Sequence, residues 1–485
     1  MRRLRSGDSS SLTVQLALPP PASERTFNVP LPATHWLNDD ILLGIFNCYR
    51  LDEEEDWNDR LRWRNLSQVC QRWRHLIYEC SSHLGMHIDC TNGSRMVNML
   101  DHLPLLPLFV HYDDWLRSAS TILEQDELGI YHILRLHGRI RHIELSLPSS
   151  ILQKALARMN ENFSILEHLS LSCGSFSDRL PLTLPKAFLA PNLLHLTLIG
   201  IGLSKRLRVL TSTVSLVTLA LSITHNSSYF RPRLLVARLR SLPLLEELTI
   251  TFSIPIPRPS TERELLGEER APITLPSMKT LRFHGVGVYL ESLVAQIKVP
   301  LLERLDITLF NQINFVLPHF FDVINNTKVS KLSKAMVYFL PHQVSISMSR
   351  NHGIEPFKLV VKCKPLDWQI DCGAQICHGL IPTLHGVEEL SLHLAAYEEI
   401  PTDMRNGGID SATWHDLLRT FIGVKQLRIG EKLSEELSRA LQVDEVGSDP
   451  GFLSNLQFII AKDNLFTSFI DTRLVVGRPV QWYRW

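Results

Sequence analysis

The sequence predicts an α/β chain in two parts, a small N-terminal helical module followed by a solenoid, that is, a curved parallel sheet with outer helices and loops. Three observations carry this. Between Leu37 and Leu84, apolar residues recur at helical spacing, first at Leu37, Ile41, Leu42, Ile45 and Phe46, then at Leu66, Val69, Cys70, Trp73, Leu76 and Ile77. From Ile140 onward a Leu-x-x-Leu-x-Leu pattern returns at intervals in the twenties to low thirties. Proline stands just before several of these strands, where it ends one arm and turns the chain into the next strand.

Residues 1–30 read as a flexible tail. Arg2, Arg3 and Arg5 precede Leu12 to Leu18, but Thr13 and Gln15 interrupt that stretch and Pro19, Pro20 and Pro21 end it, a poor imitation of a targeting peptide. The helical module occupies residues 31–84. Its first helix opens at Asn38, a favourable N-cap, with Asp39 and Asp40 at the positive end of the helix dipole. Its second helix carries Arg64, Arg72, Arg74 and His75 off the apolar stripe. Neither helix is long enough to hold alone, and the module falls short of a self-sufficient core. It needs a partner. Between the helices, the acidic run Asp52 to Asp56 with Trp57 and Trp63 admits two readings, a solvated loop folded back on the hairpin or an added contact for a basic partner.

"LNDDILLGIF" followed by "LSQVCQRWRHL" resembles the F-box, whose pattern is a Leu-Pro opening, an acidic residue, an Ile-Phe pair, then Val-Cys-x-x-Trp-x-x-Leu. Leu37, Asp40, Ile41, Leu42, Ile45 and Phe46 match its first half; Val69, Cys70, Trp73 and Leu76 match its second. Asn38 stands where the family usually has Pro, and Asp52 to Trp63 lengthens the loop between the helices. That acidic loop and the run "LGMHIDCTNG" are similar to F-box proteins of mushroom-forming fungi. The resemblance implies docking on a Skp-type adaptor, with Leu37, Ile41, Leu42, Ile45, Phe46, Leu66, Val69, Cys70 and Trp73 forming or supporting the adaptor surface. Some of these must pack the hairpin internally, and the sequence does not divide them.

After the module the period changes. Leu84, Met86 and Ile88 alternate as a short strand up to Thr91-Asn92-Gly93, and Ser94 to Leu100 reads as helical. The repeat then runs from Ile140/Ile143/Leu145 and Leu166/Leu169/Leu171 to Leu302/Leu305/Ile307, and returns at Val387/Leu390/Leu392 and Val424/Leu427/Ile429. Each unit buries its apolar face only against its neighbours, so residues 85–464 read as one stacked array. Ser150 to Met159 and Arg231 to Leu239 have the periodicity of return arms. These units resemble divergent leucine-rich repeats; where the family places Asn or Cys after the third leucine, Gly174 follows Leu171 and Ile201 follows Leu198, so less regular turns are expected. Between Leu309 and Gly386 the pattern fades, and repeats are expected to continue in altered phase through Val344, Ile346 and Met348. Pro255 to Pro272 reads as a protruding loop. Residues 465–485, with Trp482, Tyr483 and Trp485, read as a cap on the last face.

Composition narrows the chemistry. With 485 residues, 45% hydrophobic, and a formal net charge of +0, the chain has material for a large array and no bias toward nucleic acid or an anionic membrane. No run of about 18 apolar residues suggests a membrane helix. The eight cysteines lack a paired framework, which points to a reducing compartment, cytoplasmic and/or nuclear. Cys363, Cys372, Cys377 and His378 are close together, but their intervals fit no common zinc site. Gly200-Ile201-Gly202 and Gly285-Val286-Gly287 read as turns, and neither a Gly-x-Ser-x-Gly elbow nor a His-Glu-x-x-His motif is present. No cofactor or catalytic centre is expected.

Recognition remains. In Leu-x-x-Leu-x-Leu strands the alternate residues stand on the opposite, concave face. Early repeats place His168, Ser170, Ser172, His195 and Thr197 there, while later ones place charges and imidazoles. Arg282, His284, Arg304, Asp306, His393 and Arg428 are therefore the candidate contacts to a protein substrate, because unpaired charges reject wrong ligands strongly; a face that only needs solubility is the other reading. With the F-box resemblance, the implied role is the substrate-recognition subunit of an SCF-type (Skp, cullin, F-box) ubiquitin ligase, reaching cullin and RING proteins through the adaptor. The alternative is a repeat scaffold outside any ligase.

Overall fold

In the computed structural model the described residues are 37–51, 62–80, 88–90, 106–113, 124–173, 182–202, 208–224, 229–253, 271–310, 315–327, 332–350, 355–395, 409–442 and 452–484. The tail at Arg2 to Pro21, the acidic run Asp52 to Asp56 with Trp57, Leu84 and Met86, the turn at Asn92, the stretch Ser94 to Leu100, Gly174, most of the loop from Pro255, and Trp485 lie outside them. Contacts divide the chain into two units, Met1–Gly85 and Met86–Trp485.

The first unit contains α1 (Asp39–Leu51), α2 (Arg62–Val69) and α3 (Gln71–Glu79). Asn38 caps α1 as its side chain predicts, since its Oδ1 accepts from the Ile41 amide at 2.9 Å. The second predicted helix is in fact two. Cys70 is extended (φ −156°, ψ 169°), and its Sγ accepts from the Trp73 amide at 3.4 Å, so this residue closes α2 and caps α3. Arg74 Nε spans the break to the Ser67 carbonyl at 2.9 Å. Arg72 Nη2 ties α3 to the start of α1, donating to the Leu37 carbonyl and Asp39 Oδ1 at 2.6 Å each.

The second unit is built on β1 (Ile88–Cys90), β2 (Leu108–Asp113), β3 (Ile140–Leu147), β4 (His168–Cys173), β5 (Leu182–Thr183), β6 (His195–Ile199) and β7 (Ile201–Gly202). There follow β8 (Thr218–Ile223), β9 (Glu247–Phe252), β10 (Ile273–Thr274), β11 (Thr280–Gly285), β12 (Ile297–Lys298) and β13 (Arg304–Leu309). The remainder are β14 (Lys334–Leu340), β15 (Gln343–Ser349), β16 (Phe357–Val361), β17 (Glu389–Leu394), β18 (Gln426–Ile429), β19 (Phe458–Ile460) and β20 (Gln481–Tyr483). Among the described residues, sixteen of these strands form one sheet in the order β1-β2-β3-β4-β6-β8-β9-β11-β13-β16-β15-β14-β17-β18-β19-β20. The short pairs β5–β7 and β10–β12 lie apart from it.

The predicted triplets supply the core. Leu169, Leu196, Leu219, Leu248 and Leu281 are buried and stand in register on successive parallel strands. Helices Ser149–Arg158, Pro232–Leu239 and Gly287–Val294 serve as return arms. Pro191, Pro243, Pro276 and Pro300 each occupy the first of two turn residues ahead of a strand, as their fixed φ favours. A polar ladder at this turn replaces the missing one after the strand. Asn192 Nδ2 reaches the Ser164 carbonyl at 2.8 Å, Ser215 Oγ the Leu193 carbonyl at 3.4 Å, and Asn455 Nδ2 the Ile422 carbonyl at 3.0 Å. Gly200, at φ +74°, makes the turn after β6 in the left-handed region, with Cys173 Cβ 3.1 Å from where a side chain would begin.

Where the pattern fades, the repeat does not continue in altered phase. It is interrupted by a hairpin. β15 runs antiparallel to both β14 and β16, while β16 joins β13 and β14 joins β17 in parallel. Only Pro341 and His342 separate two alternating runs, and such a connection cannot hold the return arm that a parallel step requires. Around the hairpin, Glu291 is buried and caps the helix Pro318–Asn325 from a neighbouring arm, accepting from the His319 and Phe320 amides at 2.8 and 3.1 Å.

Residues 465–484 supply one more arm, Thr467–Val475, and β20, which joins β19 in parallel. The fully buried Arg473 donates to the Phe452 and Leu453 carbonyls at 3.1 and 3.0 Å, fastening a turn in which Leu453 has φ 42°. Among the described residues, no helix is long and apolar enough to cross a membrane.

Candidate interaction surfaces

Burial divides the residues of the helical module that the sequence leaves together. Leu42 and Phe46 are buried, with Leu76 and Ile77 from α3, and Phe46 meets Trp73 edge to face at 4.9 Å. These form the internal core. Ile41 is 51% exposed, Ile45 45% and Val69 59%. Leu37, Leu66, Cys70 and Trp73 are half-buried. Ile41 and Ile45 lie one turn apart on α1, so one apolar stripe faces outward while its neighbour packs inward.

On the large sheet one face is buried beneath the arms and the other is open. In β2 to β6 the open face carries a column of rings, of which the sequence pattern places His168 and His195 on this face. Phe109, His142, His168 and His195 occupy one register row on β2, β3, β4 and β6. Their rings follow one another at centroid separations of 5.2, 4.1 and 5.7 Å. His195 Nδ1 meets Thr218 Oγ1 at 3.1 Å, and His111 Nδ1 meets Glu144 Oε2 at 3.0 Å in the next row. Burial, and then the neighbouring His168, push His142 down to about 4; burial and His195 push His168 down as well. Near neutral pH the central imidazoles are therefore uncharged.

Farther along, register brings Arg282, Asp306 and Lys358 into one row, and His284, Thr308 and Val360 into another. Arg282 pairs with Glu247 rather than with Asp306. His284 sits 5.0 Å from the Phe310 ring, and burial followed by the nearby Lys362 lowers its basicity. Glu389 holds Lys334 at 2.7 Å and Arg428 at 3.9 Å. His393 stacks on Tyr338 at 5.5 Å and is held below its usual range by burial, then by Arg428. Of the six candidate substrate contacts, Arg282 and Arg428 are thus engaged in ion pairs and His393 in a stack. Arg304 is exposed and has no ion pair among the described residues.

The cysteine cluster resolves into a pair and a single residue. A hydrogen bond from the Cys372 thiol lowers Cys363 and raises Cys372, and both are buried. Cys377 is separately buried, its thiol pushed up to about 12 by loss of solvent. Among the described residues, no group of three or more His, Cys, Asp or Glu side chains is placed to hold a metal ion.

No family model matches the sequence, and no curated protein matches it. Among solved structures, the chain is similar to the leucine-rich repeat-containing protein LegL7 from Legionella pneumophila, at 12% identity and TM-score 0.25, over 80% of this chain and 97% of that one. It is also similar to the crystal structure of a TLR13–ssRNA13 complex, at 14% identity and TM-score 0.26, over 68% of this chain and 44% of that one. The chain thus spans less than half the length of the TLR13 chain that it matches.

Proposed function

We propose that the chain is the substrate-recognition subunit of an SCF-type ubiquitin ligase, an F-box protein that docks a Skp-type adaptor through α1 to α3 and holds a protein substrate on the open face of its sheet. The observation that carries this reading is the outward stripe of Ile41, Ile45 and Val69, at F-box-like positions, on a module whose own core is already filled by Leu42, Phe46 and Ile77. Such apolar side chains gain most from leaving water against a partner. Through the adaptor the chain would reach cullin and RING proteins. It would catalyse nothing itself, in the cytoplasm and/or nucleus, and would raise the effective concentration of substrate lysines near a loaded enzyme.

Co-purification with a Skp-type adaptor tests this. Ile41→Lys combined with Val69→Lys changes exposed positions, so circular dichroism should be unchanged while adaptor binding falls about tenfold or more. Phe46→Ala with Trp73→Ala is the poorer choice, because it removes the module's core along with any surface. Wild-type protein that is folded and does not bind the adaptor would overturn the ligase reading and leave a repeat scaffold.

A further inference from the structure

The reversed strand gives the open face a local relief. β15 turns only Gln343, Ser345, Ser347 and Ser349 to that face. Ser347 is 8% exposed, and Val360 on β16, diagonal to it and opposite Ser345, is 5% exposed, so both lie below their neighbours. They make a floor. On the β16 side rises Lys358, with Lys362 beyond it and Arg304 on the adjacent β13, all three exposed. On the β14 side rise Met336 and Tyr338, each more than a third exposed, with His393 stacked behind the tyrosine. Register sets Lys358, Ser347 and Met336 in one row, and Val360, Ser345 and Tyr338 in the next. At two strand spacings the walls stand about 10 Å apart, room for one extended chain.

The charges say what would lie there. Among the described residues of this half of the face, six cations, Arg282, Arg304, Lys334, Lys358, Lys362 and Arg428, meet three carboxylates, Glu247, Asp306 and Glu389. Glu247 engages Arg282, and Glu389 engages both Lys334 and Arg428. Asp306 alone is left opposite Arg304, Lys358 and Lys362, which have no ion pair among the described residues. The whole chain has net charge +0, so this excess is local. A cationic wall facing an apolar one fits a ligand with alternate acidic and apolar side chains. A nucleic acid strand would put continuous phosphate past Asp306 and Glu389 and offer little to Met336.

We propose that the groove over β15 seats an extended acidic segment of a partner protein, its carboxylates against Arg304, Lys358 and Lys362 and its apolar side chains against Met336 and Tyr338. This rests on the reading of the open face as a protein-binding surface and names the chemistry it selects. β15 already has strands on both sides, so the segment is held by side chains and not as an added strand.

Fluorescence anisotropy with the full chain tests it, using a labelled dodecapeptide of alternating Glu and Leu, the same peptide with Lys for Glu, and a dodecathymidylate. The acidic peptide should bind, more weakly as salt rises. Arg304→Glu with Lys358→Glu should weaken it about tenfold or more, Tyr338→Ala about threefold, and His168→Ala not at all. Unchanged affinity in the double variant, or equal binding of the lysine peptide or the dodecathymidylate, would overturn the proposal. Adaptor co-purification on the same proteins separates the two readings: groove variants should keep the adaptor, and the Ile41→Lys, Val69→Lys variant should keep the peptide.

Discussion

From β3 to β6 and from β13 to β17 the open face is built with the same strand spacing, yet the two regions end up chemically opposite. In the first, every strand is parallel and in register, so a residue type that recurs at one place in the repeat recurs in space. His142, His168 and His195 become a stacked column for that reason. In the second, one strand is reversed and the copying stops. Serines then lie beside lysines and a tyrosine, and the surface acquires walls and a floor. Regular repetition yields uniform chemistry across a face, and one reversal creates the unevenness on which selectivity depends.

The two regions differ in this way only if the reversed hairpin belongs to the core and is not an appendage. Phe339 on β14 is fully buried and meets Trp414 edge to face at 5.7 Å. Phe339→Ala should cost about 3–5 kcal/mol, similar to Leu196→Ala in the regular half at about 2–5 kcal/mol, both read by urea unfolding. A loss confined to a separate early transition would show that the hairpin is not integral to the array.

A smaller effect sharpens the other side. His142 titrates near 4 in the folded chain against about 6.5 when unfolded, and His168 is displaced in the same direction. Between those values the unfolded chain binds more protons, so the column's contribution is complete above about pH 6.5 and is lost as pH falls toward 4. His111, Glu144 and His195 face the column as well; Glu144 opposes the shift at His142, and His195 deepens it at His168. His168→Phe should flatten the fall in Tm across that window by roughly 2 °C, as measured by scanning fluorimetry. An unaltered acid limb would mean that the stacked rings are not what destabilises the array in acid.

The least effect is expected at the rim, where both regions look alike. Arg141 pairs with Glu167 at 2.8 Å in one, and at the border of the other Lys425, just ahead of β18, pairs with Glu388 at 2.7 Å, all substantially exposed. Lys425→Ala should change stability by less than about 0.5 kcal/mol by denaturant titration. A larger change would mark the rim as more than a solvated edge.

What could be read in advance was whatever a segment encodes about itself. The buried triplets, the arms at Ser149–Arg158 and Pro232–Leu239, the prolines ahead of the strands and the cap at Asn38 all follow from local periodicity or backbone chemistry. What could not be read depends on partners distant in sequence. Val344, Ile346 and Met348 alternate identically whether β15 runs forward or back, so the reversal left no mark on the pattern itself. The fading of the repeat after Leu309 marked the place, and the short link at Pro341-His342 was the local sign of a hairpin. The break at Cys70 needed a thiol to act as a cap, a weak acceptor that the apolar count treats as core. The distinction between Ile41 outside and Leu42 inside turns on where α3 lies. Among the candidate contacts, the pattern put Arg282 and Asp306 on one face, but the pairing of Arg282 with Glu247 runs diagonally across β9, where the register sets Thr249 opposite the arginine.

The reversed strand also constrains the order in which the chain can fold. A parallel array grows by adding each new strand to the last one placed, so it can zip from any nucleus along its length. Past β13 this fails, because the next strand in sequence, β14, belongs three places away and the two intervening places are filled backward by β15 and β16. The hairpin must close on itself, and β16 must return to β13, before the strands from β17 onward are joined to those up to β13. Growth along the array is therefore interrupted at one step with a larger loop-closure cost.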